Sequence, residues 1–431
     1  MSHLRKIPKP TFGANSSSSE RMTAWIVWSS QRDALGHKVQ LALGIIALVM
    51  IPLSSTLATI GSTLFIGYAL LRCHVLYPIW KELLFNPCVL ALLALYAWLA
   101  LSVTWSLDPD HGVRLLRGSR YLLMIPALAP LLLDVKRVLL GPCIALAIVL
   151  PIQAYGLIIG DPGFAQGALS EHPGFMGIWM CVTCASLSLG MRSNPLGSWG
   201  HRLAPVGMIT IALSAARSVL LASGTSLFTG LTVMFWHKDF GRFRSTLAVI
   251  ATLAIAAGIV FGFRSEMSRR ISGYNQMENT AASTVDDFPI DGARPLWWRI
   301  GIEGFLAKPM TGFGVGSAEE LITGDDEVVR ITDSGRKNSY VNRDDFHSSY
   351  ITAAAESGGI GSLLFLAWVG CLARSCMRKK TISPVLTACL TALLVFGVFN
   401  TMFFSGRLVA LIAFVTTLAI KHDGEVESAN D

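Results

Sequence analysis

The chain has 431 residues, 52% hydrophobic and 15% charged, with a formal net charge of +7 at pH 7. A soluble domain of this length needs more charge to cover its surface, and the recurring apolar runs approach bilayer thickness, so a water-soluble globule is excluded. The runs do not alternate with a period of two, which excludes a β-barrel, and the basic residues are dispersed among short connections, which disfavours a nucleic-acid groove.

In chain order, residues 1–37 are basic, and a serine stretch, Ser16 to Ser19, and Glu20 come before any apolar core. They read as a mobile cytoplasmic tail with an interfacial turn around Trp25–Trp28, not as a cleavable signal peptide. About twelve membrane spans are then expected. They lie near Val39–Leu57, Thr59–Val75, Pro87–Thr104, Gly118–Leu133, Val138–Ile158, Gly174–Leu189, Leu203–Ala216, Val219–Trp236, Thr246–Phe263, His347–Gly370, Ile382–Phe399 and Met402–Ile420. The second carries several small and polar residues and the seventh is short, so these are expected to be tilted, broken or partly interfacial. The division is therefore a tail (1–37), helices (38–263), a long loop (264–346), helices again (347–420) and a C-terminal tail (421–431). The fold class is all-α, a polytopic inner-membrane helical protein. Cys181 and Cys184 form a CxxC inside the apolar run Phe175–Leu189 and read as helix packing.

Loop charge sets the orientation. Lys136-Arg137, Arg192 with Arg202, Lys238 with Arg242 and Arg244, and Arg374 with Arg378-Lys379-Lys380 all fall on the side of the two termini. The Arg264–Phe346 loop holds ten Lys/Arg against fourteen Asp/Glu, net −4. The positive-inside rule then puts both termini in the cytoplasm and the loop outside. Within the loop, Trp297–Leu306 has amphipathic spacing and stops before Lys308-Pro309, and Thr311–Gly316 reads as a turn. That turn superficially resembles a dinucleotide fingerprint but lacks a preceding strand, so nucleotide binding is discounted.

The outer side keeps few cations, and each needs a reason. Arg114, Arg117 and Arg120 are spaced by three, within about 120° of one helix face. They read either as anion-binding residues or as snorkelling partners of Asp108 and Asp110. Arg407 is a further outer cation. Arg217 stands alone between two apolar half-runs, where an arginine usually faces a partner or a polar cavity and can grip phosphate oxygens in a fork. Arg294 and Arg299 flank Trp297-Trp298, beside aromatics that could equally be an interfacial belt. His347 stands where the polar loop re-enters an apolar helix. An imidazole there can accept a proton from a hydroxyl near neutral pH, and the free N–H groups of the helix end favour a pyrophosphate. Asp344 or Asp345 could orient the ring, whereas Glu356 falls on the opposite helix face. The candidate catalytic set is His347, Arg217 and Arg294. The candidate substrate-binding set is Arg114, Arg117, Arg120, Arg299, Ser348 and Tyr350. No clustered His/Cys/carboxylate set is visible, so neither a metal nor another cofactor is expected.

These stretches together resemble the O-antigen ligase and polymerase superfamily of bacterial envelopes. The carrying motif is His347-Ser348, nine residues, Gly358, two residues, Gly361. Arg294 with Trp297, Pro309 with Gly312-Phe313-Gly314-Val315-Gly316, and Arg217-Ser218 are similar to the family's upstream stretches, although Ala216 stands where the family usually has serine. The resemblance implies a GT-C-like membrane fold and a metal-independent, inverting glycosyl transfer. The donor would be polysaccharide on undecaprenyl pyrophosphate and the acceptor a sugar hydroxyl of lipid A-core, at the periplasmic face. It further implies His347 as general base, with Arg217 and Arg294 on the departing pyrophosphate. An O-antigen polymerase is the alternative within the superfamily, with protein O-glycosylating relatives third. A lipid-linked glycan transporter is the alternative from another class; it would need charged residues near mid-membrane along several spans, and these have almost none.

Overall fold

The computed structural model describes residues 7–13, 16–159, 177–183, 207, 210–211, 217–236, 290–326, 328–329, 345–377 and 383–424. Every regular element among the described residues is helical. The segment read as a mobile tail instead contains helix α1, Ser18–Arg32. The serine run supplies its start: Ser17 Oγ accepts from Glu20 N–H while Glu20 accepts from Ser17 N–H, a reciprocal capping box. Met22, Ile26 and Trp28 are buried, and Arg21 pairs with Glu82 at 3.2 Å. The tryptophans read as an interfacial turn are thus part of a packed helix.

Helix α2, Ala34–Leu53, ends at Ser54, whose hydroxyl caps α3, Ser55–Leu71. The first expected span therefore begins and ends earlier than its hydropathy suggested. The second is broken as anticipated: α3 and α4, Cys73–Leu83, meet at Arg72 with a bend of 101°. Buried Arg72 holds the bend, donating to Asp33 at 2.7 Å and to Gln40. Helix α5, Pro87–Ser102, leads to a rod over Pro109–Asp134 that opens with α6, Pro109–Leu116. The rod then alternates 3-10 turns at Arg117–Leu123 and Ala129–Asp134 with one short α segment. Pro126 and Pro130 withhold N–H donors here, and the tighter winding gains about 0.5 Å of rise per residue over an α-helix.

Next come α7, Leu140–Ile159, and α8, Arg217–Trp236. The polar loop contributes α9, Ile290–Ala307, and the short α10, Ala318–Thr323. The core then closes with α11, Ser349–Met377, α12, Pro384–Phe399, and α13, Gly406–Gly424. Four helical segments among the described residues are long and apolar enough to cross a membrane, or five if the bent α3–α4 pair is one crossing. Shorter apolar helices lie within α7, α8, α12 and α13. The span expected near 246–263 lies outside the described residues, as do most of those near 174–189 and 203–216.

The polar loop is not merely draped over the bundle. Its residues Trp297, Ile300, Ala318, Ile322, Val328 and Phe346 form a small core with Ala355 of α11. Its glycine turn is locked into a break in α11 at Gly358, where φ is +66°. A helix break frees carbonyls on one side and N–H groups on the other. Ala355 and Glu356 carbonyls accept from Phe313 and Gly314 N–H at 3.0 and 2.8 Å, while Gly359 and Ile360 donate to Pro309 and Met310 carbonyls at 2.7 and 3.3 Å. A Cβ on Gly312 would meet the Glu356 carbonyl at 2.5 Å, and one on Gly358 would overlap that of Met310. On its other side the turn rests on the α5–α6 junction, with Val315 N–H on Ser102 Oγ at 3.2 Å. The dinucleotide look-alike is a backbone-to-backbone clasp, with its glycine N–H groups spent on the protein itself.

Candidate active site

His347 stands two residues before α11 and is the non-glycine residue with positive φ (51°) among the described ones. Its backbone N–H donates to Asp345 Oδ1 at 2.7 Å, and its ring Nδ1 lies 3.6 Å from the same oxygen. A short carboxylate two residues back closes a local turn of this kind, and the left-handed backbone it supports costs about 1–2 kcal/mol elsewhere in a chain. The imidazole leans on the fully buried Trp297 ring, with centroids 5.1 Å apart and planes at 33°. Of the two aspartates that could orient the histidine, Asp345 lies close to the ring; Asp344 lies outside the described residues.

The surrounding chain is pinned from below. Ser349 N–H and Oγ both donate to Asn400 O, at 3.1 and 2.7 Å, and Ser349 Oγ accepts from Met402 N–H at 3.0 Å. Tyr350 donates its hydroxyl to Leu394 O at 2.9 Å, and Ser348 is buried. Of these two proposed substrate ligands, Tyr350 therefore braces the start of α11 against α12. Glu356, 1% exposed, accepts from Gly316 and Ala318 N–H at 3.1 and 3.2 Å. It ties the glycine clasp and the start of α10 to α11, a role its place in the sequence did not announce.

The arginines divide. Arg294 lies on α9 three and four residues before Trp297 and Trp298, so it shares their side of the helix, one turn from the ring that backs His347. Arg299 instead reaches Glu303 and Asp325 at 3.1 and 3.3 Å, clamping α9 within the loop. Arg217 is the first residue of α8; its side chain is not among those described. Arg114 lies beside His111, 3.4 Å from its Nδ1.

Arg117 and Arg120 are brought together with Arg407, a grouping that sequence separation hides. The three line a cavity of about 240 Å³ with Ser55, Thr59 and Ser405. Close backbone approach makes this possible: a Cβ on Gly118 would meet Phe404 O at 2.6 Å, and one on Gly406 would overlap the Tyr121 ring. His347, at the start of α11, and this cavity, at the start of α13, lie at the same end of the bundle, joined through Asn400–Met402. The sequence signal for Arg407 was a single charge just ahead of an apolar run.

Residues 204–366 match a family model described as O-antigen ligase. The matched segment contains Arg217, Arg294, the glycine clasp, His347 and the Gly358 break. The chain carries an O-antigen ligase family domain. No curated protein matches it significantly. Arg117, Arg120 and Arg407 lie outside the segment that the O-antigen ligase model covers.

Proposed function

We propose that this protein joins a polysaccharide to lipid A-core, transferring it from undecaprenyl pyrophosphate at the periplasmic face of the inner membrane and so completing lipopolysaccharide. The observation that carries this reading is His347 itself: a strained residue at a membrane-helix entrance, backed by Trp297 and held by Asp345, within an O-antigen ligase family domain. His347 acts as general base on the acceptor hydroxyl, whose oxygen attacks the anomeric carbon as the bond to the pyrophosphate oxygen breaks. A single displacement of this kind inverts the anomeric centre. Arg217 and Arg294 take up the charge on the departing pyrophosphate through guanidinium forks, the task a divalent ion performs in other phosphate-leaving reactions. Trp297 keeps the ring from turning away, and Asp345 favours the orientation in which the far nitrogen meets substrate.

The membrane partners follow from the same reading: two lipid-anchored substrates that enter from the bilayer, with both protein termini in the cytoplasm. Lipopolysaccharide banding from a deletion strain tests it. Loss of a ligase leaves core without O-chains while polymer accumulates on the carrier lipid. Core capped with a single repeat would assign the protein to polymerisation instead.

A further inference from the structure

A reaction between two lipid-anchored substrates must place two head groups, and only one of them reacts at a phosphate. The donor's pyrophosphate has to lie at the anomeric carbon, beside His347. The acceptor's anchor phosphates lie away from its reacting hydroxyl, separated from it by core sugars, and need a seat of their own.

The cavity of Arg117, Arg120 and Arg407 has the chemistry for such a seat. Its lining is cationic, hydroxyl-bearing or glycine apart from the Tyr121 ring. Arg117 and Arg120 lie on a 3-10 turn, in which residues three apart eclipse, so their side chains leave the rod in one direction. Arg120 is steadied by Thr59 Oγ1 at 3.1 Å and by the Tyr121 ring, 5.4 Å from its centroid. Arg407 is 4% exposed and projects from the first turn of the 19-residue α13, where the helix end adds partial positive charge. Planar forks of this kind match phosphate oxygens in pairs.

A second feature points to a lipid rather than a free anion. Arg117 also closes a largely apolar groove of about 490 Å³ between α5 and α6, lined by Ala100, Val103, Thr104, Pro109, Val113 and Leu116. Val113 is 55% exposed there. A cationic seat and an apolar groove that share one arginine are complementary to an amphiphile with a phosphate at the base of its chains. From Met402, whose N–H donates to Ser349 Oγ, to Ser405 is at most roughly 11 Å of chain, which keeps the seat near the His347 end of the bundle but off the reacting centre.

We propose that Arg117, Arg120 and Arg407 seat a phosphate of the acceptor glycolipid's anchor, whose apolar chains enter the Ala100–Leu116 groove. This rests on the ligase reading above. The test uses the full chain in nanodiscs of zwitterionic lipid. Binding is measured for lipid A-core and for the same glycolipid stripped of its phosphates, alongside KM for acceptor and for donor. Arg117→Gln/Arg120→Gln is expected to weaken binding and raise acceptor KM ten-fold or more, with a much smaller change in donor KM. The stripped glycolipid should bind parent and variant equally poorly. Val113→Trp, which fills the groove and leaves the arginines, should weaken binding of both glycolipids. An unchanged acceptor KM, a rise in donor KM in its place, or displacement of the glycolipid by millimolar inorganic phosphate would each overturn the proposal. A parent protein that binds lipid A-core through these arginines yet transfers nothing to it would leave the seat standing and remove the ligase reading.

Discussion

At the scale of single residues, two of the outer arginines separate sharply. Arg299 is exposed and spent on Glu303 and Asp325, so its charge is answered within the loop. The exposed Arg299–Glu303 pair contributes about 1 kcal/mol or less, and Arg299→Ala should leave transfer almost unchanged. Arg217 heads α8 with no other charge close to it in sequence. If it grips pyrophosphate through a guanidinium fork, lysine keeps the charge and loses the paired bonds. Such contacts are worth roughly 1.5–3 kcal/mol, so Arg217→Lys should slow single-turnover transfer ten- to a hundred-fold, and Arg217→Ala more. A lysine variant as fast as the parent, at equal protein level, would return Arg217 to a snorkelling role. The sequence pointed to His347 and to the outer arginines because a charge beside apolar runs is conspicuous. It set Arg299 below Arg217 and Arg294 but could not show its pairing with Asp325, which lies far along the chain. Nor could it pair Arg117 and Arg120 with Arg407, whose meeting depends on the close approach of Gly118 and Gly406 to the facing segment.

At the scale of elements, the glycine clasp explains why closely spaced glycines follow the histidine. Gly358 has φ +66° and its α-carbon faces the Met310 carbonyl, so a methyl group there meets both backbone strain and overlap. The first costs about 1–2 kcal/mol and the second typically 1–3 kcal/mol. Gly358→Ala should therefore lower the thermal midpoint in detergent by several degrees and loosen the seat of His347. Gly370 lies in the same helix with nothing within 4 Å of its added Cβ, and Gly370→Ala should be neutral or mildly stabilising. Equal midpoints for the two variants would mean that the clasp does not hold the loop. The apolar runs were legible because their lengths match a bilayer. The break inside α11 was not, because hydropathy is blind to a positive φ. Helix α1 was missed for a different reason: the capping box Ser17–Glu20 was in view, but its apolar face is short and gains stability only by packing on α4.

At the scale of the whole molecule, the proposed topology puts the two ends of the Pro109–Asp134 rod on opposite faces of the membrane. Gly112, near the start of the Pro109–Asp134 rod, touches Val315 of the glycine clasp, while the basic pair Lys136-Arg137 follows the rod's far end. A cysteine replacing exposed Lys308 in a cysteine-free background should accordingly react with an impermeant maleimide in intact spheroplasts. One replacing Arg137 should react only after the membrane is opened, and the reverse pattern would invert the proposed topology. Activity should also survive EDTA, because arginines are assigned the charge on the leaving pyrophosphate; loss with recovery on one divalent ion would contradict that assignment. All these assignments converge on a single base at the entrance of α11. The most direct measurement is single-turnover transfer from a defined lipid-linked donor to lipid A-core by purified His347→Ala, with thermal stability recorded in parallel. A positioned general base contributes about a hundred- to ten-thousand-fold, so the variant should lose at least that lower factor while unfolding close to the parent's midpoint. A folded His347→Ala that turns over at a near-normal rate would contradict the account.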